Sequence, residues 1–177
     1  MNKKTSIIIT AALAVFTTFA LCAASISTGT LLQNVQVRDT RNKPAWIPEF
    51  GKKVLIILYN DVDVTDQNDL FATLIQKAKI PEEKKLPIGI ANMKDAPWKP
   101  DSVIRYMARR KIKQYPGTVI LTDPEYILRD AWGLGNCNQK SVVIIIGTDK
   151  KVHFYKKGKM NESEAQQGLE IIRKLVQ

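Results

Sequence analysis

The sequence predicts an α/β protein with a mixed central sheet, flanked by helices and closed by an antiparallel hairpin and a C-terminal helix. Short apolar, β-branched runs alternate with amphipathic stretches, as strands and crossover helices do in a sheet covered on both faces. Two of these runs, 54–59 and 142–146, are apolar throughout, which is typical of buried central strands. A tight turn at 148–151 then predicts an antiparallel return strand.

The first half of the chain supplies two strands, a helix and a third strand. Valine alternates with polar residues over 35–38, which predicts a short edge strand, and the apolar run at 54–59 follows. Residues 66–79 predict an amphipathic helix that Thr65 or Asp66 caps and Pro81 stops. Its apolar face consists of Leu70, Phe71, Leu74, Ile75 and Ala78. The run at 86–91 predicts the next strand.

The second half begins with a helix at 101–113, continues with a strand at 118–122 and a short helix at 126–132, and ends with the hairpin and a last helix. Asn161 is the expected cap of that last helix. In the 101–113 helix, the side chains expected to face inward are Val103, Ile104, Met107 and Ala108. In the last helix they are Ala165, Leu169, Ile172 and Val176.

The first two dozen residues have the pattern of a secretory signal peptide. Lys3 and Lys4 precede a long apolar run, and small residues after it favour cleavage near Ala24, which makes 1–24 the signal peptide. The exact cleavage site stays open, as does lipidation of Cys22, because a lipidation motif has a small residue where this chain has Leu21. No second apolar run of about 18 residues follows, so we expect no transmembrane segment in the mature chain.

The chain is basic, with 27 lysines and arginines against 17 acidic residues and a formal net charge of +10. Such a charge favours anionic surroundings. Two basic runs, at 109–113 and 156–159, are candidates for an anionic partner, the alternative being a solvated face. Aromatic residues are not interleaved with them, which argues against single-stranded nucleic acid. We expect Trp46, Trp98 and Trp132 to be packing residues beside the sheet.

Three segments carry a resemblance to a known family: LIQKAKIPEEK at 74–84, QYPGTVILTDPEYILRDAWGL at 114–134 and VVIIIGTDKKVHFYKKGKM at 142–160. With the order of elements, they resemble the YtfJ-like family of exported, periplasmic proteins. The resemblance implies a thioredoxin-like fold, in the extended form of exported thiol oxidoreductases and peroxiredoxins. It also implies a thioredoxin-like domain at 51–177, preceded by an N-terminal extension at 25–50 that holds the short edge strand.

The resemblance also locates two functional positions. A thiol pair would lie just after the strand at 54–59, where the N-terminus of the first long helix lowers a cysteine's pKa. This chain has Asn60 followed by aspartates there, and no cysteine. The second position, a cis-proline before the strand at 142–146, corresponds to Ser141, for which we expect a trans bond. Without the CxxC pair and the cis-proline, the chain is expected to keep the fold and lack the thiol chemistry.

Four aspartates follow the first buried strand: Asp61, Asp63, Asp66 and Asp69. Clustered carboxylates suit calcium, and Asp61, Asp63 and Asp66 are the candidate ligands. The spacing lacks the glycine and distal glutamate of an EF-hand loop. Acids at a helix start also cap the helix and oppose its dipole, and this interpretation is favoured, so we expect no bound metal.

Cys137, in the stretch GLGNCNQK, is the candidate catalytic thiol. It precedes the strand at 142–146 and is not at the first helix. If the hairpin turns near Asp149, the only histidine, His153, lies about 26 Å away, which argues against a Cys–His dyad. The alternative, which we favour, is a tolerated loop thiol. A catalytic role would require an electropositive, partly exposed helix end.

These patterns predict an exported, redox-inactive thioredoxin-like domain, a binding or accessory protein of the bacterial cell envelope with a periplasmic or secreted location. The expected partner is an envelope protein or an anionic ligand, with no nucleic acid and no cofactor. The alternative is a thiol-dependent peroxidase or oxidoreductase that acts through Cys137. Neither the ligand nor the oligomeric state follows from the sequence.

Overall fold

The computed structural model of the chain describes residues 25–177, so the predicted signal peptide and Cys22 lie outside the described residues. The strands are β1 (Gln36–Asp39), β2 (Pro44–Trp46), β3 (Val54–Asp61), β4 (Lys85–Asn92), β5 (Val119–Asp123), β6 (Ser141–Ile146) and β7 (Val152–Lys157). The helices are α1 (Asp69–Lys77), α2 (Asp101–Gln114), α3 (Ile127–Ala131) and α4 (Glu162–Leu175). Over residues 25–177, no helix is long and apolar enough to cross a membrane.

All of these strands form one mixed sheet, in the order β2-β1-β5-β4-β3-β6-β7. The pairs β3–β4 and β4–β5 are parallel, so the carboxyl ends of these three strands meet at one edge of the sheet. The hairpin β6–β7 continues the sheet antiparallel to β3, and β1 and β2 continue it antiparallel beyond β5. The predicted mixed α/β fold with a closing hairpin is confirmed.

The strand expected at the edge of the sheet lies inside it. β1 pairs with β2 on one side and with β5 on the other, so β2 is the edge strand. The sequence gives little signal for β2, because it is three residues long and begins with Pro44, which cannot donate to a ladder and suits an edge. The 25–50 segment also contributes to the main core, through Ile26, Leu32, Val35, Val37 and Ile47.

Side-chain alternation along the central strands builds a core on each face of the sheet. Leu55, Ile57 and Tyr59 of β3 point to the face that α3 and the N-terminal segment cover. Val54 and Ile56 point to the opposite face, which α1 and α4 cover. The elements that cover each face exclude water from one set of β3 side chains. Both sets are therefore apolar, which explains the continuous apolar run of this strand.

Helix ends follow the predicted caps in one case and depart from them in another. At α4, the Asn161 side chain accepts from the backbone N–H of Glu164, whose carboxylate accepts from the N–H of Asn161, so the predicted cap is confirmed as a full capping box. At α1, the N-cap is Asn68 and no side chain caps the helix. The expectation that Thr65 or Asp66 caps α1 is therefore wrong.

Several predicted inward positions are exposed. Ile104 and Ala108 of α2 are buried, but Val103 and Met107 are 44% and 51% exposed, because only part of this helix packs on the sheet. Leu70 of α1 is also exposed. Of the tryptophans expected to pack beside the sheet, Trp132 is buried, whereas Trp46 and Trp98 are exposed, so the expectation is wrong for those two.

Candidate functional site

The β3–α1 junction, residues 60–68, occupies the position at which the resemblance places a thiol pair. It lies where the carboxyl ends of β3, β4 and β5 meet, and cross-strand register aligns Asp61 with Asn92 and Asn92 with Asp123. All three of these polar side chains are buried. Buried polar groups need partners, so the hydrogen bonds of this edge show what the junction does.

Asn68 is the centre of a hydrogen-bond network at the junction. Its amide nitrogen donates to Ser141 Oγ at 2.9 Å and to the carbonyl of Gly158 at 3.2 Å. Its amide oxygen accepts from the backbone N–H of Met160 at 2.8 Å. These bonds join the start of α1 to β6 and to the segment between β7 and α4. Because the side chain is used in this way, it does not cap α1.

Ser141, at the position of the cis-proline, has every polar group engaged. Its hydroxyl donates to Asn60 Oδ1 at 2.5 Å, and its backbone N–H donates to Gln67 Oε1 at 2.9 Å. Its carbonyl accepts from the N–H of Gly158 at 2.7 Å. The described residues contain no cis peptide bond, which confirms the expected trans bond before Ser141. No backbone group of Ser141 is left to pair with a bound peptide.

The candidate metal ligands are not gathered around one point. The buried carboxylate of Asp61 accepts the backbone N–H groups of Asp63 at 2.9 Å and Gln139 at 2.7 Å. Asp63 forms an ion pair with Lys99 at 2.6 Å, and Asp66 is exposed. Within residues 25–177, no group of three or more His, Cys, Asp or Glu residues is placed to hold a metal ion. Asp61 and Asp63 therefore act as structural acceptors.

Cys137 is fully buried beneath this edge of the sheet. Its thiol lies 3.4 Å from the carbonyl oxygen of Gly135. Burial raises the pKa of Cys137, and the nearby cations Lys157, Arg129 and Lys140 only partly offset the effect. His153, the other half of the dyad considered above, contacts Asp149 instead. The thiol lacks the exposure and the lowered pKa that a reactive cysteine needs.

A buried tyrosine–aspartate pair lies beside this thiol. Tyr59 donates its hydroxyl to Asp123 Oδ2 at 3.1 Å, and the same carboxylate accepts the N–H groups of Ile127, Leu128 and Arg129. Burial raises the pKa of Asp123, although these hydrogen bonds oppose the shift. Burial also raises the pKa of Tyr59. The pair anchors α3 to the end of β5 and is closed to solvent.

The open space on this face of the protein lies elsewhere, in a groove of about 940 Å³ between α2, the β3–α1 junction and the sheet, which we call the α2 groove. Its apolar lining is Val62, Gly89, Ile90, Ala91, Ile104, Met107, Ala108 and Ile120, and the neutral polar residues Asn60, Thr65 and Tyr106 also line it. Its basic lining is Lys99, Arg109, Arg110, Lys111 and Lys113. Among the described residues, no acidic side chain lines it.

Residues 50–175 match the family described as "Bacterial protein of unknown function (YtfJ_HI0045)". The chain belongs to this family. It is 24% identical over 124 residues to the Escherichia coli (strain K12) protein YtfJ, which is described as uncharacterized, with 70% of this chain and 66% of that protein covered. It is 23% identical over 140 residues to an uncharacterized Haemophilus influenzae protein, with 78% and 75% covered. The match thus spans just under two thirds of the Escherichia coli protein.

Solved structures show the fold of this YtfJ-family chain. A thiol peroxidase from Chromobacterium violaceum matches with a TM-score of 0.60 and 12% identity, covering 85% of this chain and 88% of its own. The thioredoxin domain of a thiol-disulfide oxidoreductase from Bacteroides vulgatus matches with a TM-score of 0.59 and 11% identity, covering 86% and 100%. The predicted thioredoxin-like fold is confirmed, and at these identities the likeness concerns the fold alone.

Sequence reasoning missed several of the residues that shape these regions. The role of Asn68 at the centre of the network could not be predicted from the sequence. Its three partners come from β6 and the segment between β7 and α4, far along the chain. The floor of the α2 groove did leave a signal. Gly89 interrupts an apolar strand, and a glycine inside a strand marks missing side-chain volume or a close approach.

Proposed function

We propose that this YtfJ-family chain is a redox-inactive, thioredoxin-like binding or accessory protein of the cell envelope. The observation that carries the proposal is the network of Asn60, Asn68 and Ser141, which fills the position of a thiol pair and cis-proline with mutually bonded polar side chains. A site for thiol exchange needs an exposed sulfur and a free backbone edge. This junction offers neither.

The chemistry of thiol turnover supports the same conclusion. Dithiol exchange needs an attacking thiolate and a second thiol that releases the mixed disulfide. Over residues 25–177 the one cysteine is Cys137, so the described fold holds no resolving partner. Its burial and raised pKa also oppose a single-thiol peroxidase, the alternative considered from the sequence.

The envelope location rests on the signal-peptide pattern of residues 1–24. We expect export with cleavage near Ala24. The intact mass of the protein in the envelope fraction measures this directly. A full-length product, or one diacylated at Cys22, would contradict the proposed processing.

The redox part is tested by two assays on the native protein and on Cys137→Ser: reduction of insulin with dithiothreitol, and consumption of peroxide with glutathione. We expect both proteins to match the reaction without enzyme. Activity in the native protein that disappears in Cys137→Ser would overturn the proposal and establish the thiol enzyme in its place.

A further inference from the structure

We propose that the α2 groove binds a single-chain amphipathic anion, with a hydrocarbon chain along the groove floor and a phosphate or carboxylate head group among the cations of α2. This inference rests on the proposed binding role and names the class of ligand. Nothing in it depends on Cys137, so it is measured without any thiol chemistry.

The floor of the groove is apolar and lacks one side chain. Ala91 and Ile120 lie on neighbouring strands and are only half-buried, although they belong to the middle of the sheet. Gly89, which pairs with Ile120 and precedes Ala91 by two residues on β4, leaves the floor open, since a Cβ placed there would meet only Ile120 Cγ1, at 3.7 Å. Apolar surface of this kind gains about 25 cal/mol per Å² when a ligand covers it.

The border of the groove carries charge of one sign. All of its cations come from α2 and the turn before it, opposite the strand floor. Lys99 is neutralised by Asp63, whereas Arg109 and Lys111 bind only the carbonyl oxygens of Thr40 and Thr65. A carbonyl oxygen satisfies a hydrogen bond without cancelling the charge, so the border stays positive.

Two of the cations are available to a ligand. Arg110 and Lys113 are exposed, and neither has an ion-pair partner among the residues that the structure describes. With Tyr106 they occupy positions i, i+4 and i+7 of α2, so they share one stripe of the helix beside the groove. Guanidinium and ammonium groups are the usual partners of phosphate and carboxylate oxygens.

The dimensions favour a small amphiphile over a protein partner. Small-molecule sites occupy about 300–1,000 Å³ and are lined mostly by apolar groups with a few polar ones, which matches this groove of about 940 Å³. A stable protein partner would instead need about 800 Å² on each side, spread over a wider surface. An apolar floor with cations along one border calls for a ligand that is apolar at one end and anionic at the other.

The probes are dodecyl phosphate and laurate, each titrated into the purified protein by calorimetry below its critical micelle concentration. We expect one site per chain. The probe that binds more tightly identifies the preferred head group. Inorganic phosphate, which lacks the chain, and dodecylphosphocholine, whose head group carries no net charge, should each bind at least about tenfold more weakly.

Two charge variants separate a local site from general attraction. Arg110→Gln/Lys113→Gln removes the two available cations and should weaken dodecyl phosphate about tenfold. Lys77→Gln/Lys174→Gln removes the same charge from the last turns of α1 and α4, outside the groove lining, and should leave binding unchanged. Equal weakening in both variants would show attraction to net charge and overturn the proposal.

A third variant tests the floor. Gly89→Val places a β-branched side chain in β4, where valine suits the strand and the space beside Ile120 is open. We expect thermal unfolding close to that of the native protein and loss of dodecyl phosphate binding by about tenfold or more. Native binding of dodecyl phosphate by a folded Gly89→Val, or no binding by the native protein, would overturn the proposal.

Failure here and failure of the proposed function are distinguishable. If no amphiphile binds and the redox rates match the reaction without enzyme, the proposed ligand class is wrong and the redox-inactive binding role still stands. If thiol turnover is observed and depends on Cys137, the proposed redox-inactive role is wrong, whatever the calorimetry shows.

Discussion

The β3–α1 junction and the α2 groove lie on neighbouring parts of the same surface and have opposite character. At the junction, polar side chains are bonded to one another, and Asn68 bonds to three residues of two other segments, β6 and the segment between β7 and α4. In the α2 groove, Ala91 and Ile120 are half-buried, Met107 is exposed, and the cations Arg110 and Lys113 are exposed. Most of the hydrogen-bonding capacity is used at the junction, where Asn92 Oδ1 is the exception among the described residues, whereas Arg110 and Lys113 of the groove have no ion-pair partner there.

We infer that this difference separates a stabilising region from the proposed binding region within a single fold. A site must keep unsatisfied surface for its ligand, at the expense of some folding stability, whereas a stabilising region satisfies its groups internally. Mutations at the junction should therefore change folding stability. Those at the groove border should change binding and leave stability nearly unaltered.

The largest expected effect is at Asn68. Asn68→Ala removes three hydrogen bonds, leaves the buried N–H of Met160 without a partner and takes a partner from the half-buried Gly158 carbonyl, so we expect a loss of about 3 kcal/mol. Urea unfolding followed by tryptophan fluorescence measures it. Asn138→Ala, at an exposed asparagine, is the control and should change stability by less than about 0.5 kcal/mol. Equal effects would remove the distinction between junction and surface.

Next are two aspartates of the same junction. Asp61→Ala should cost about 2 kcal/mol of folding stability, because its carboxylate accepts the N–H groups of Asp63 and Gln139.

Asp66→Ala should change folding stability by less than about 0.5 kcal/mol, because Asp66 is exposed and does not cap α1. Unfolding is measured with and without calcium. A calcium-induced rise in melting temperature that either substitution abolishes would restore the metal interpretation.

A smaller effect is expected at Asp123, whose contribution to folding stability should change with pH. Burial raises its pKa in the folded state, so the folded protein binds this proton more tightly than the unfolded chain does. The contribution to stability is complete below the unfolded pKa of about 3.9 and is lost as pH rises through the folded pKa. Asp123→Asn cannot ionise and lacks this loss.

Urea unfolding of the native protein and Asp123→Asn at several pH values checks the trend. We expect the stability of the variant relative to the native protein to improve between about pH 4 and pH 7. A difference that stays flat or falls would mean that the N–H groups of Ile127, Leu128 and Arg129 hold the carboxylate ionised.

The sequence predicted most of the fold because local patterns determine it. Continuous apolar runs marked β3 and β6, and Asn161 as an expected cap marked the start of α4. The position of β1 inside the sheet was missed, since pairing with β5 joins residues about 80 positions apart, and no local pattern records it.

The candidate site was harder to predict for the same reason. The missing cysteines were visible at once, but the network that replaces them joins Asn60 and Asn68 to Ser141, across more than 70 positions of sequence. The α2 groove was missed because helical periodicity assigned Met107 to the core. The folded sheet shows why this assignment failed. Gly89 has no side chain, so that face of α2 has nothing to pack against at this position.

The smallest expected effect is on stability at the groove border. Arg110→Gln/Lys113→Gln removes Lys113 from the last turn of α2, where a cation helps the helix dipole by about 0.3–1 kcal/mol, and Arg110 from the position before that turn. The same change relieves repulsion between Arg109 and Lys113 and between Arg110 and Lys113, worth about 0.2–0.5 kcal/mol per pair. The two effects oppose each other, so we expect a net change below about 0.5 kcal/mol, shrinking further at high salt because both are screened. Thermal unfolding at low and high salt measures it. A loss above about 1 kcal/mol would mean that the folded structure already uses these cations, and the contrast between a satisfied junction and an available groove would fail.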